Sequence, residues 1–465
     1  MNQWFEVDKD GLAILQAGKP RHYILRELIA NAWDEEITEC SVDLSFEKGF
    51  ATAIVIDDCP EGFKDLRDSF TLFRDTCKRA DPRKRGRFNV GEKQAIALCN
   101  YAKIESTKGT VVFDKQGRHE SRAIREHGTS VMVKFKATKA EFDEILRVVE
   151  NYLPPSGIKY LVNGEVVPYR TPLKIIHPTL TTEISENGAF KRTQRKTDVY
   201  IHATNGNAYL YEMGIPVTEI ECIYNIDVQQ KIPLSIDRET VPQAFLKDLF
   251  AEVLNATAED LKPEDSSQVW VRLGSEDERV TKGTLKKVVE KRYGEKVVVA
   301  NPFDKHSIDE AISHGYRVVF GSEMSADEWK NIRAAELIPS SSEVFGVDFV
   351  GAENVEPDDN MQRVAELAKN VAKRVLNIDI RVAFVESKAT CSAQYGGRTL
   401  TFNVSRLGRG FFDPPLSAET IDLIIHELGH ENGMHTEKSY HETLTKMAGK
   451  LVMIALKEPE FFKIE

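Results

Sequence analysis

The sequence has no run of about 18 consecutive apolar residues, so its patterning excludes a membrane-spanning helix. Its opening residues, MNQWFEVDKD, lack the basic and apolar regions of a signal peptide, and a cytoplasmic protein with no membrane partner is expected. Cysteine is sparse. The six residues Cys40, Cys59, Cys77, Cys99, Cys222 and Cys391 contain no CxxC pair, which argues against a disulfide scaffold or a cysteine-based zinc knuckle and for reduced thiols. Positive charge is not in excess either: 62 Lys and Arg against 73 Asp and Glu leave a net charge of -11 and a pI near 5.6. Nucleic acid is therefore not the expected partner, and the basic run KRADPRKRGR is the only cluster that would favour it. No repeat with a period of about 20 to 50 residues is present, which excludes a solenoid or propeller.

What is present is an ordinary globular composition, 41% hydrophobic and 29% charged with a mean hydropathy of -0.36. At about 100 to 200 residues per domain, 465 residues imply two to four units. Alternating helical and strand patterns predict an α+β multidomain protein, with boundaries placed at 1–190, 191–275, 276–350 and 351–465. The third unit reads as a small α/β insert, KVVVANP, IDEAISHG, RVVFG and ADEWKNIRAAE in succession, serving as a rigid connector.

Two constellations carry chemistry. In the first, RHYILRELIANAWDEEITE over 21–39 puts Glu27, Asn31 and Asp34 on one helical face amid apolar neighbours. An acid and an amide so placed suit a water-activating base and an oxygen ligand for Mg²⁺. The strand ATAIVIDD ends in Asp58, followed by the turn residue Gly62, and a carboxylate at a strand end can accept a hydrogen bond from an exocyclic amine. GRFNVGEK then offers Gly86, Gly91 and Lys93 directly before a helix, a pattern suited to phosphate, and His127-Gly128-Thr129 opens a later strand.

Over residues 20–135 this order resembles the GHKL ATPases, the Bergerat-fold family of gyrase B, MutL, histidine kinases and the large dimeric heat-shock chaperone. ELIANAWD resembles the N box, IDDCPEGF the DxGxG box, GRFNVGEK the glycine-rich lid and HGTSVMV the terminal GT element. The resemblance implies ATP and Mg²⁺ as cofactors, Glu27 as general base, Asn31 as Mg²⁺ ligand and Asp58 as adenine reader. Asp34, Gly62, Gly86, Gly91, Lys93 and Thr129 would complete the pocket. Pro60 and Asn89 stand where the family has glycines. KIPLSIDRETV resembles the transducer-like middle segment of the chaperone, where Arg238 would reach the γ-phosphate; Lys231, which follows two glutamines as in gyrase-like relatives, is the alternative.

The second constellation is ETIDLIIHELGHENGMH. His426 and His430 lie one helical turn apart and can grip one Zn²⁺, with Glu427 placed as general base. Gly433 breaks the helix so that a third ligand can return: His435 first, with His441 and Glu442 as alternatives. Three ligands would leave an open, catalytic site, four a closed, structural one. This segment is similar to the zincin metallopeptidases, which implies that RTLTFNVSRLGRGFF forms the edge strand beside a peptide substrate.

Together these readings predict a GHKL ATPase whose ATP-driven closure, in a homodimer, regulates a C-terminal zinc-dependent peptidase acting on protein or peptide. The layout is similar to phage rIIA-like proteins. The alternative is an ATP-switched binding protein with a structural zinc site.

Overall fold

The structure is a computed structural model that describes residues 7–463 except 64, 75–76, 187–188, 205, 235–239, 303, 346–348, 350–351, 390, 434 and 436. The chain is α+β, with several separate sheets, and divides into two compact units, Met1–Ala256 and Thr257–Glu465. Among the described residues no helix is long and apolar enough to cross a membrane.

The first unit begins with helices α1 (Lys9–Gln16) and α2 (His22–Trp33). Strands β1 (Glu39–Glu47), β2 (Phe50–Asp57), β3 (Tyr101–Ser106), β4 (Gly109–Asp114), β5 (Gly117–Ser121), β6 (Thr129–Lys136), β7 (Lys159–Val162) and β8 (Glu165–Val167) form one sheet in the order β5-β4-β3-β6-β2-β1-β7-β8. Helices α3 (Gly91–Ala97) and α4 (Lys139–Glu150) join α2 against it. The packing follows the sequence periods. Ile24, Leu25, Leu28 and Ile29 of α2 meet Ala51, Ala53 and Val55, every second residue of β2, with Val131, Val133 and Phe135 of β6 in the same core. At about 1.5–3 kcal/mol per fully buried large side chain, this core fixes α2 on the sheet, and with it the polar face of that helix.

Next come β9 (Lys174–Ile176), the ribbon β10 (Thr179–Glu186) and β11 (Ala189–Lys196), then β12 (Val199–Ala203), β13 (Ala208–Glu212), β14 (Ile215–Ile220) and β15 (Tyr224–Val228). They build a second sheet, β14-β13-β15-β12-β9, beside which the ribbon is a sheet of its own. NAYLYEMGIPV splits into β13 and β14 because Met213 and Gly214 both take positive φ, 49° and 87°, the backbone of a tight hairpin turn. Helix α5 (Gln243–Thr257) closes the unit.

The sheets divide the chain differently from the expected boundaries. The first sheet ends at Val167, and Lys174–Ile176 already pairs with β12, so residue 190 falls inside the ribbon and not between domains. The end expected at 275 likewise moves to 256. The loop-rich, proline-broken stretch after 153 conceals these pairings, which are long-range.

The second unit opens with helices α6 (Val269–Ser275) and α7 (Lys282–Tyr293). The reading above leaves both unassigned, since KGTLKKVVEKRY buries only Thr284, Leu285, Val288 and Val289 among its charges. The predicted α/β insert follows: β16 (Val297–Val299), α8 (Lys305–Ser313), β17 (Arg317–Val319), α9 (Ala326–Ala334) and α10 (Ser341–Phe345), with β16 and β17 parallel. The last part contains β18 (Glu353–Asn354), α11 (Asp359–Val371), β19 (Arg381–Glu386), β20 (Ala393–Gly396), β21 (Thr399–Asn403), α12 (Val404–Leu407), α13 (Ala418–Gly429) and α14 (Lys438–Lys457). Its sheet runs β18-β19-β21-β20, and α11, α13 and α14 share a core with Phe384, Leu400 and Phe402. The strand expected at the edge, β21, lies between β19 and β20; the edge is β20, a four-residue strand too short and too polar to signal itself.

Candidate functional site

The first unit contains a cleft between α2, the ends of β2 and β6, and the loop that precedes α3. It gathers Glu27, Asn31, Gly62, Gly86, Gly91 and Thr129, six of the residues predicted from sequence. Glu27 is 2% exposed, and its carboxylate lies directly against Gly91, where any side chain would collide with it. Gly62 has φ +59°, the left-handed backbone that the turn requires. Asn89 takes φ +54°, a left-handed conformation that asparagine tolerates.

Three predictions are corrected within the cleft. Asp58 does not line it. Asp58 caps the N–H groups of Thr38 (2.9 Å) and Glu39 (3.0 Å) and bonds the Thr38 hydroxyl at the surface. Asp57 lines the cleft instead, in step with Ala51, Ala53 and Val55, and accepts from the Cys59 (3.0 Å) and Thr129 (3.2 Å) amides. Burial pushes its carboxyl up to about 6 against the pull of those amides. Asp34 is a structural anchor: its carboxylate accepts from the Arg85 guanidinium and amide (2.9 Å each) and the Gly86 amide (2.9 Å). Burial opposes its ionisation, but Lys78, Arg85 and the two amides outweigh it and hold the carboxyl below its ordinary range. Lys93 is spent on Asn89 (2.9 Å) and Glu92 (3.5 Å), and the cations lining the cleft are Lys78, Lys84 and Arg87.

The second sheet grips the same loop. Lys231 is 1% exposed; its ammonium donates to the carbonyls of Lys78 (2.5 Å) and Arg79 (3.2 Å), and its amide to that of Pro82 (2.7 Å). It is not a cleft residue. Burial, with the charge of Arg87, lowers its ammonium to about 8. Arg87 makes a two-pronged pair with Glu212 (2.9 and 2.5 Å) and donates to the Ile232 carbonyl (2.8 Å), while Arg85 reaches the Met213 carbonyl. Arg238 lies outside the described residues.

In the second unit, His426, His430 and His435 form a cluster that can hold a metal ion, with one ring atom of each within 4.8 Å of the others. His426 on α13 and His430, the residue that caps that helix, are aligned by helical spacing, and the turn at Gly433, φ +156°, returns His435 to them. His435 Nε2 lies 3.0 Å from His426 Nε2 and 3.1 Å from His430 Nε2. The opposite nitrogen of each ring faces an oxygen: His426 Nδ1 the Tyr440 hydroxyl (3.0 Å), His430 Nδ1 the Gly433 carbonyl (3.2 Å) and His435 Nδ1 the Ser340 hydroxyl (3.5 Å). Burial disfavours protonation of all three rings, lowering His426 to about 4 and His435, with its three neighbouring imidazoles, to about 3. His430 Nδ1 must donate to the Gly433 carbonyl, which turns the Nε2 lone pair of that neutral ring toward His435, and three imidazole nitrogens so gathered form a donor set that can take a cation. Tetrahedral zinc with Zn–N of about 2.0–2.1 Å separates its nitrogens by about 3.3–3.4 Å, close to the spacing here.

The two alternatives are not part of the three-histidine group. His441 Nε2 donates to the His435 carbonyl (2.7 Å), and Glu442 is half-exposed between Lys438 (3.4 Å) and Lys446 (3.6 Å). Glu427 is buried beside the cluster on α13, and burial pushes its carboxyl up to about 8, opposed by the Tyr395 amide and reinforced by Asp304. Sequence reasoning missed Tyr395, Tyr440 and Ser340. Ser340 caps α10 of the insert, so the expected connector contributes to the cluster's surroundings. Only the tertiary fold brings it there. No family model matches the chain, and a search of curated proteins finds no match.

Proposed function

We propose that the chain joins an adenine-nucleotide-binding unit to a zinc-dependent peptidase unit. The observation that carries the second half is the convergence of three imidazoles, with His435 Nε2 3.0 Å from His426 Nε2 and 3.1 Å from His430 Nε2, beside a buried carboxylate. His426, His430 and His435 would hold the zinc, which when bound supplies a Lewis acid and lowers the pKa of a coordinated water. Among the described residues the cluster has three histidines and no fourth acidic or cysteine partner, and three ligands favour an open, hydrolytic site over a structural staple.

The chain's own groups would do the remaining work. Glu427 would take the proton of the attacking water and return it to the departing amine. The Tyr395 amide bonds the Glu427 carboxylate and the Tyr395 hydroxyl bonds Glu431 (2.6 Å), so strand β20 is tied to the metal-binding segment at two points. An extended peptide adding to the outer side of β20 would be held beside the base.

In the first unit, Asp57 would read the adenine amine and Glu27 and Asn31 would serve hydrolysis and Mg²⁺, with Lys84 and the Gly86–Gly91 segment toward the phosphates. Support comes from the cleft that gathers them. Nucleotide-driven closure of a homodimer would then regulate peptide cleavage. The test is metal analysis with peptide cleavage, with and without ATP and Mg²⁺. One equivalent of zinc, and cleavage lost in Glu427→Gln with zinc retained, supports the reading. Full zinc occupancy with no cleavage of casein or a peptide library sinks the peptidase. Absence of Mg²⁺–ATP binding in calorimetry sinks the nucleotide half.

A further inference from the structure

Helix α14 begins eight residues after His430, and its first turn touches two of the three clustered histidines away from the Nε2 atoms that face one another. Tyr440 is 2% exposed, and its hydroxyl lies 3.2 Å from the His426 carbonyl and 3.0 Å from His426 Nδ1. The carbonyl can only accept, so both contacts are satisfied together when the hydroxyl gives its single proton to the carbonyl and accepts from Nδ1. That assignment puts the imidazole proton on Nδ1 and leaves the Nε2 lone pair aimed at His435. The next residue, His441, donates from Nε2 to the His435 carbonyl (2.7 Å), fixing the backbone that carries the third imidazole.

The helix that carries the motif has a matching concession. Gly429 lies in ordinary helical backbone, and no unusual φ demands glycine there. It is required by space: a Cβ at this position would come within 2.7 Å of Tyr440 Cε2 and 2.8 Å of Leu444 Cδ2. Removing the side chain between the two motif histidines lets α14 approach closely enough for the Tyr440 hydroxyl to reach His426. The Tyr440 ring centroid then lies 4.8 Å from that of His430, tilted by 36°, and 5.1 Å from that of His435, edge-on.

We propose that Tyr440 is the positioning residue of the metal centre, fixing the tautomer and aim of His426 through a close approach that Gly429 permits, with His441 holding the third ligand's backbone. This rests on the metal-site reading above. Tyr440 itself does not ligate: its hydroxyl is committed to two atoms of His426.

The full-length protein, stripped of metal and titrated with Zn²⁺ against a chromophoric chelator, tests this with Tyr440→Phe. The ring and its packing remain and only the hydroxyl goes. Zn²⁺ affinity should fall about 10- to 100-fold, the usual effect of losing an outer partner of a ligand, with the melting temperature nearly unchanged. Equal affinity in wild type and Tyr440→Phe overturns the proposal. In the metal-free protein, ¹⁵N-edited imidazole spectra should show His426 as the Nδ1–H tautomer in wild type and a mixture in Tyr440→Phe. An unchanged tautomer overturns the proposal as well. If wild type binds no Zn²⁺, the metal-site reading fails, and the tautomer measurement still decides whether Tyr440 orients His426. Gly429→Ala, which pushes α14 away without touching the hydroxyl, should reproduce the Tyr440→Phe spectrum; a wild-type spectrum there would also count against the proposal.

Discussion

The cleft and the histidine cluster are both polar and both withdrawn from water, but they settle the cost of burial in opposite ways. In the cleft's walls charge is matched with charge: Asp34 with Arg85, Arg87 with Glu212, and Lys78 with Glu35 at 2.6 Å. In the cluster, three imidazoles whose protonation burial disfavours bring their rings together, with His435 Nε2 3.0 Å from His426 Nε2 and 3.1 Å from His430 Nε2. The cleft's walls therefore carry their own counter-charges, whereas the cluster gathers a nitrogen donor set that could hold a cation. Paired charges describe how a site is built; gathered donor atoms describe what it could take.

The sharpest way to break this contrast is His430→Ala. Bound zinc should drop from one equivalent to background by elemental analysis, and a variant that retains full zinc would remove the cluster from consideration. Glu427→Gln comes next. Zinc content should be unchanged while peptide cleavage falls about 10²- to 10⁴-fold, the range for loss of a general base; cleavage at the wild-type rate would reassign the base.

On the cleft side the predicted effects concern stability first. Arg87→Ala leaves the Glu212 carboxylate buried without its guanidinium and should cost about 3–5 kcal/mol in urea unfolding of the full chain, since both side chains are under one-tenth exposed. A cost below about 1 kcal/mol, as for a surface pair, would show that the wall is not braced as described.

The smallest expected costs in stability separate two neighbouring aspartates. Asp57→Asn should abolish adenine-nucleotide binding yet not destabilise the protein at neutral pH. The Asp57 carboxyl is raised in the folded state to about 6 from an ordinary value near 3.8. The folded state therefore holds its proton more tightly than the unfolded chain, and stability falls as pH rises from about 4 through 6. The asparagine variant should lose that slope. Asp58→Asn should instead keep nucleotide binding and cost about 1 kcal/mol through weakened caps on Thr38 and Glu39. Equal nucleotide affinities in the two variants would erase the distinction.

That pair also shows where sequence reasoning reaches and where it stops. His426 lies in α13 and His430 caps it with helical backbone, so a period of 3.6 residues places them without knowledge of the rest of the chain. Choosing between Asp57 and Asp58 needed only the period of two, because Ala51, Ala53 and Val55 mark the face that meets α2; the signal was present and the family-like motif pointed one residue past it. Lys93 against Lys84, and β20 against β21 as the edge, depend on pairings between distant segments and leave no local trace. The same holds for Ser340, some 95 residues from His435 in sequence. Arg238, outside the described residues, keeps its status as an expectation.

The loop before α3 has one more consequence. Carbonyls of Lys78, Arg79 and Pro82 are held by Lys231, and Arg85 and Arg87 reach into the second sheet. One wall of the cleft is thus ordered during folding and not at the moment of encounter. A ligand entering it escapes the entropy of freezing a loop of that length, at about 1–2 kcal/mol per residue fixed, so association should be limited by diffusion and orientation, not by slow closure of this wall.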